Sequence, residues 1–184
     1  KYIIKEFNIR DWFKENDLDN MKSEISCYKN LKWLIMPKVL GSNIKSKYLI
    51  TEFIEHRPLR DSKRTVDRIL IIFKKYIEKE NPKFLQVREY VSYLPSIYSR
   101  AKGLVRDNVI DNWKNMRSRF EKNKEKLVNN ATHFSHGDFR KGNILPKKDK
   151  LIIIDFDQAR RDNLLSDLAC LYIDLEKKDL KKYL

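Results

Sequence analysis

The feature that most constrains this chain is a polar segment, His136-Gly-Asp138-Phe-Arg140-Lys-Gly-Asn143. Asp155-Phe-Asp157 follows twelve residues after Asn143, at the end of the apolar run 151–154. Glycines and short polar side chains at this density favour a turn or loop over the interior of a packed helix or strand. Between the two segments lie Ile144-Leu145, a turn over 146–150 and the apolar run, a pattern that predicts a β-hairpin. The fold must therefore bring an irregular loop and the mouth of a buried strand to one place.

Asp155 is then a carboxylate at the rim of a core, where an unpartnered charge costs several kcal/mol and a divalent cation is a natural partner. Asp138 and Asn143 are five residues apart on the loop, so one can face an acceptor while the other turns to a metal. Taken singly, each of the three reads equally as a turn, a cap or a strand end. Together they offer a carboxylate for an attacking hydroxyl and oxygen ligands for Mg²⁺, and Arg140 adds a cation, which are the parts that phosphoryl transfer needs.

The segments His136-Gly-Asp-Phe-Arg-Lys-Gly-Asn-Ile-Leu145, Ile153-Ile-Asp-Phe-Asp-Gln-Ala159 and Asp167-Leu-Ala169 resemble the aminoglycoside phosphotransferase and choline kinase group, a branch of the protein-kinase-like fold. Asp157 followed by Ala159-Arg-Arg161 is also similar to lipopolysaccharide sugar kinases. The resemblance implies an α+β fold of two lobes, a small antiparallel sheet lobe over 1–55 and a mainly helical lobe over 56–184. The second lobe would carry a catalytic loop at 134–145 and a metal-binding segment at 151–159. It also implies that Asp138 orients the acceptor hydroxyl as catalytic base, that Asn143 and Asp155 hold Mg²⁺, and that Arg140 lies near the transferred phosphate of ATP. His136 is expected as a scaffold residue of the loop.

In the N-terminal third, Lys5 resembles the strand lysine that holds the α- and β-phosphates, and Glu24 its helical partner. Glu24 borders the apolar face formed by Met21, Ile25, Tyr28 and Leu31 in a helix expected over 19–34, with Asp19 or Asn20 as its cap. Segments 37–41 and 48–54 read as a hairpin, and the second resembles the hinge between lobes, where backbone groups around Thr51 and Phe53 would bind adenine. No glycine-rich loop stands before the Lys5 strand, and the sequence has only four glycines. That loop either precedes Lys1 or is not part of the protein, which keeps a catalytically silent kinase-like binding module as the alternative reading. Only about ten residues separate Asp157 from Asp167, too few for an activation loop, so a small-molecule hydroxyl acceptor is favoured over a protein.

From 61 to 130 the pattern is helical, with interruptions near Asn81-Pro82, Pro95 and Gly103 and a long half-buried helix marked by Val109, Trp113, Met116, Phe120 and Leu127. A last helix runs through Leu168, Leu171, Tyr172 and Leu175, capped by Asn163 or Ser166.

A net charge of +14 in 184 residues attracts phosphate-rich partners: nucleotides, an anionic membrane surface or nucleic acid. The aromatics among the lysines of 76–120 fall at helical spacing and suit a core, so no specific nucleic acid is expected. Hydrophobic residues at 41% exclude a disordered chain, and no stretch reaches the roughly 18 apolar residues of a membrane span. Cys27 and Cys170 lack a metal or disulfide spacing, so a cytoplasmic protein, peripheral at most to a membrane, is expected. The oligomeric state is left open.

Overall fold

Three β-prone segments of the N-terminal third pair as one antiparallel sheet in the order β1-β3-β2: β1 (Tyr2–Glu6), β2 (Val39–Asn43) and β3 (Tyr48–Glu52). Ile3 lies opposite Thr51 and Lys5 opposite Leu49, so these four side chains share a face of the pleat. Leu49 and Thr51 are buried on that face, while Tyr2 and Ile4 on the other are exposed. The first residue of the β2–β3 hairpin is Val39, not Pro37, and the register shifts between Val39 and Gly41 as a bulge does. The structure, a computed structural model, describes residues 1–7, 17–60, 62–78, 83–85, 107–162 and 165–174.

Helix α1 (Asp17–Asn30) buries Met21, Ile25 and Tyr28 along the expected stripe, with Leu31 closing it just past the helix. It starts two residues earlier than the capping argument places it, so neither Asp19 nor Asn20 is its cap. Asp19 instead pairs with Lys22, and Asn20 accepts a hydrogen bond from Arg160.

After β3 come α2 (Lys63–Glu78) and α3 (Asp107–Asn129). In α2, Val66, Ile69, Phe73 and Tyr76 are buried at steps of three, four and three, the face that helical periodicity dictates. α3 forms where the long helix is expected; the side chains of Val109, Trp113, Met116, Phe120 and Leu127, and the interruptions near Asn81, Pro95 and Gly103, lie outside the described residues. Strands β5 (Ile144–Lys147) and β6 (Lys150–Ile153) make the second hairpin, with Lys148 in a left-handed conformation at its tip (φ 52°). A further pair, β4 (His133–Ser135) with β7 (Arg160–Asp162), brackets that hairpin in sequence. Helix α4 (Leu165–Asp174) follows and contains Ser166, so Ser166 is not its cap; Asn163, the Tyr172 side chain and Leu175 lie outside the described residues.

The core beneath these elements is aromatic. Tyr76 meets Trp33, Phe73 and Phe134 edge to face at ring separations of 5.4, 5.4 and 4.9 Å, and Phe73 meets Phe139 at 5.2 Å. Each such pair adds about 0.5–1.5 kcal/mol beyond burial. Tyr28 of α1 packs edge-on against Phe156 at 5.5 Å, so one core runs from α2, under the 136–143 loop, to α1. Among the described residues no helix is long and apolar enough to cross a membrane, and neither Cys27 nor Cys170 is in a disulfide.

Candidate active site

Strand β4 delivers the chain to the loop, and Asp167 in the first turn of α4 holds its start. The carboxylate accepts hydrogen bonds from the Ser135 hydroxyl (3.0 Å), the His136 amide (2.7 Å) and the Gly137 amide (2.9 Å). Gly137 has φ 83°, a left-handed conformation that glycine adopts without steric cost, and this lets two successive amides converge on one acid. Asp167 is 1% exposed. Burial pushes its carboxyl up, against the pull of His136 and the three donors.

His136 is fully buried, and its Nε2–H donates to the Ile154 carbonyl at 2.8 Å, which leaves Nδ1 to face the Asp138 amide at 3.4 Å. The imidazole thus ties the loop to the residue before Asp155. A second tie is the Ile154 amide, which donates to the Asn143 carbonyl at 3.1 Å. Within the loop, Asn143 Nδ2 donates to the Asp138 carbonyl (2.8 Å) and to Asp138 Oδ2 (3.0 Å). Arg140 Nε lies 3.0 Å from the same Oδ2. The fold therefore brings Asp138, Arg140 and Asn143 into mutual contact and sets Asp155 one residue from their anchor.

Asp155 itself has φ 68° and ψ 63°, a left-handed conformation uncommon outside glycine and concentrated at functional sites. Its Oδ1 meets Lys5 Nζ. The same ammonium lies 2.7 Å from Glu24 Oε2 and 3.1 Å from Asp157 Oδ2, so a single cation bridges the sheet, α1 and the 155–157 segment. Burial alone would lower the Lys5 pKa, but Glu24, Asp157 and Asp155 together raise it well above the usual lysine value. Glu24 is pushed up to about 7, chiefly by burial, with Lys5 opposing and Asp155 and Asp157 adding to the rise. Asp157 is raised too, by burial first.

Asp157 and Asp167 belong to the quoted motifs but received no site role from the sequence. Asp157 sits where protein kinases have glycine and so draws notice only as a departure. Asp167 carries the signal of an acid in the first turn of a helix, which is too common to indicate that it anchors the loop.

A cavity of about 400 Å³ opens beside Lys5, Glu24 and Asp155 and continues between Ile3 and Leu49 of the sheet and Leu145 and Ile154 of the second hairpin. The lining combines the charged Lys5, Glu24, Glu52 and Asp155 with a larger number of aliphatic and aromatic side chains, the mix of a small-molecule site. Thr51 and Phe53, expected near an adenine, both line the cavity. Thr51 is in the central strand, paired with Ile3 on one side and Val39 on the other, and the Phe53 amide donates to the Lys1 carbonyl at 3.2 Å. Ile54 and His56, which follow in the chain, line it as well.

The donor set fits Mg²⁺. Asn143 spends its amide nitrogen on Asp138, so the side-chain oxygen is the atom it can offer a cation, and Asp155 offers a carboxylate at a partly exposed position. Among the described residues no group of three or more His, Cys, Asp or Glu could hold a metal by itself. Mg²⁺ does not need one, because it keeps waters and is completed by substrate phosphates.

A family model described as "Phosphotransferase enzyme family" matches residues 81–183. No curated protein sequence matches the chain. Among solved structures, choline kinase LicA from Streptococcus pneumoniae superposes with a TM-score of 0.70 at 17% identity, covering 99% of this chain and 65% of that one. Aminoglycoside phosphotransferase APH(2")-IIa in its gentamicin complex gives 0.66 at 16%, covering 99% and 70%. ADP-bound aminoglycoside phosphotransferase APH(2'')-Ib gives 0.64 at 16%, also covering 99% and 70%. The chain thus spans 65% of the length of the choline kinase it resembles. Identities this low make the likeness one of fold, the α+β kinase-like architecture.

Proposed function

The chain belongs to the phosphotransferase enzyme family, and on that premise we propose that it is a kinase using ATP with Mg²⁺ to phosphorylate a hydroxyl of a small molecule. The acceptor we infer is a sugar, an aminoglycoside or a choline-like compound. The observation that carries the reading is the joining of two clusters. Lys5, Glu24 and Asp155 meet in the lining of the cavity, and the backbone bond from Ile154 to Asn143 ties Asn143, which in turn holds Asp138, to the residue before Asp155.

In this reading Lys5 holds the α- and β-phosphates, and Glu24 keeps its ammonium in place. Asn143 and Arg140 both hold Asp138 Oδ2, so Oδ1 serves the acceptor hydroxyl. Asp138 takes the hydroxyl proton as the hydroxyl oxygen bonds to the γ-phosphorus; the bond from that phosphorus to the β–γ bridging oxygen breaks, and ADP leaves with the electron pair. Asn143 and Asp155 would hold Mg²⁺, which when bound neutralises charge on the phosphates. Arg140 adds positive charge at the point of transfer.

The +14 charge favours encounter with a nucleotide and with an anionic acceptor or membrane surface. A cytoplasmic setting with reduced Cys27 and Cys170 belongs to the same proposal. The names of the solved neighbours, a choline kinase and aminoglycoside phosphotransferases, support a small acceptor.

The test is Asp138→Asn, assayed by acceptor-dependent ADP release over a panel of sugars, aminoglycosides and choline. The expected result is a fall in kcat of about 10³, with Mg·ADP affinity within about twofold of the original. Undiminished turnover in this variant would overturn the assignment.

A further inference from the structure

Arg160 of the Ala159-Arg-Arg161 motif makes hydrogen bonds to two of the elements that build the site. Its Nη1 donates to the Ala159 carbonyl (2.7 Å), the Asp157 carbonyl (3.4 Å) and the Ser23 hydroxyl (2.8 Å), and its Nη2 donates to Asn20 Oδ1 (2.7 Å). Two of these partners are carbonyls of the segment that carries Asp155 and Asp157. The other two are side chains of α1, Ser23 next to Glu24 and Asn20 one turn before it. A guanidinium is suited to this task because its donors lie in a fixed plane and point to both elements at once.

We propose that Arg160 is a positioning residue that locks α1 in register with the 155–157 segment, so that Glu24, Lys5, Asp155 and Asp157 are held as one unit. It acts through Glu24 and the two aspartates and touches no substrate. The aromatic contact of Tyr28 with Phe156 brings the same two elements together but is apolar and permits sliding, whereas the fork sets the register. Ser23 is buried, so its hydroxyl depends on this bond for satisfaction.

The role of Arg160 does not require the chain to be a kinase, and only the second part of the test rests on that reading. The first part is amide hydrogen exchange in the nucleotide-free protein, comparing the original chain with Arg160→Met and with the double variant Asn20→Ala/Ser23→Ala. Both should lose about tenfold protection in α1, while α2 and the β5–β6 hairpin keep theirs. Unchanged protection in α1 in both variants would overturn the lock, and equal loss throughout the chain would mark Arg160 as merely structural and overturn it as well.

The second part is Mg·ADP affinity by calorimetry in a cycle of Arg160→Met with Glu24→Gln. Arg160→Met alone should weaken binding about tenfold, and much less once Glu24 is already Gln, because the residue acts through that carboxylate. Additive effects would overturn the coupling. Arg160→Lys, which can satisfy one element but not both, should recover only part of the affinity; full recovery would show that the planar fork is not needed. Absence of nucleotide binding in the original chain would refute the kinase reading and leave the exchange result to decide the lock.

Discussion

Lys5 and Glu24 show what a single buried pair does to the protein's response to pH. Glu24 has a side chain only 3% exposed, and its pKa is pushed up from the ordinary 4.5 to about 7. The folded state therefore holds this proton more tightly than the unfolded chain does. Stability from this source is fully present below pH 4.5 and is lost as pH rises through 7. The expected size is at most about 3 kcal/mol. Urea unfolding of the nucleotide-free protein at pH 5.5 and 7.5 should show the higher midpoint at the lower pH, and Glu24→Gln should flatten most of that difference. Asp157 and Asp167 are also raised by burial, so their contribution to the pH dependence has the same sign. A Glu24→Gln variant with the original slope would place the titration elsewhere.

Among the elements, α4 matters less for its length than for the acid in its first turn. Asp167→Ala would strand the amides of His136 and Gly137 and the Ser135 hydroxyl in a dry interior, so a loss of at least about 3 kcal/mol is expected. Ser135→Ala removes one donor and leaves the acid satisfied by two amides, so about 1 kcal/mol is expected. Denaturant midpoints of the two variants should keep that order, and equal losses would mean that the loop is anchored some other way. Much of this architecture was legible in the sequence: the two hairpins, the buried stripe of α1 and the joining of loop to strand mouth all follow from periodicity and turn residues. The β4–β7 pair was not, because Arg160-Arg-Asp162 has no apolar alternation and gains its place from the partner strand. That Thr51 has a paired strand on each side was not legible for a related reason. A strand looks the same in sequence whether its backbone is free or paired on both sides, and only the order β1-β3-β2 puts Thr51 in the middle. Asp157 and Arg160 stood in a quoted motif without a role because their roles depend on partners more than 130 residues away, Lys5 in one case and Ser23 and Asn20 in the other.

For the molecule as a whole, the cavity is lined by residues of the N-terminal sheet and by Leu145 and Ile154, and the ion pairs of Lys5 join the sheet to α1 and the 155–157 segment. A ligand that fills the cavity should therefore stabilise the protein globally and not only near the site. A nucleotide present at about 100 times its Kd adds about 2.7 kcal/mol, and in a chain of 184 residues each kcal/mol moves Tm by about 2–4 °C. A rise on the order of 5–10 °C is expected with ATP and Mg²⁺ together. ATP in excess EDTA should give a smaller rise, since Lys5 still meets the phosphates but the carboxylate of Asp155 then repels them. Lys5→Met should abolish the Mg²⁺-free rise and reduce the other. A scan in which ATP shifts Tm equally with and without Mg²⁺ would argue that the nucleotide is held by the basic surface and not at Asn143 and Asp155, and raising the salt concentration would separate the two, because surface attraction is screened while binding in the cavity persists.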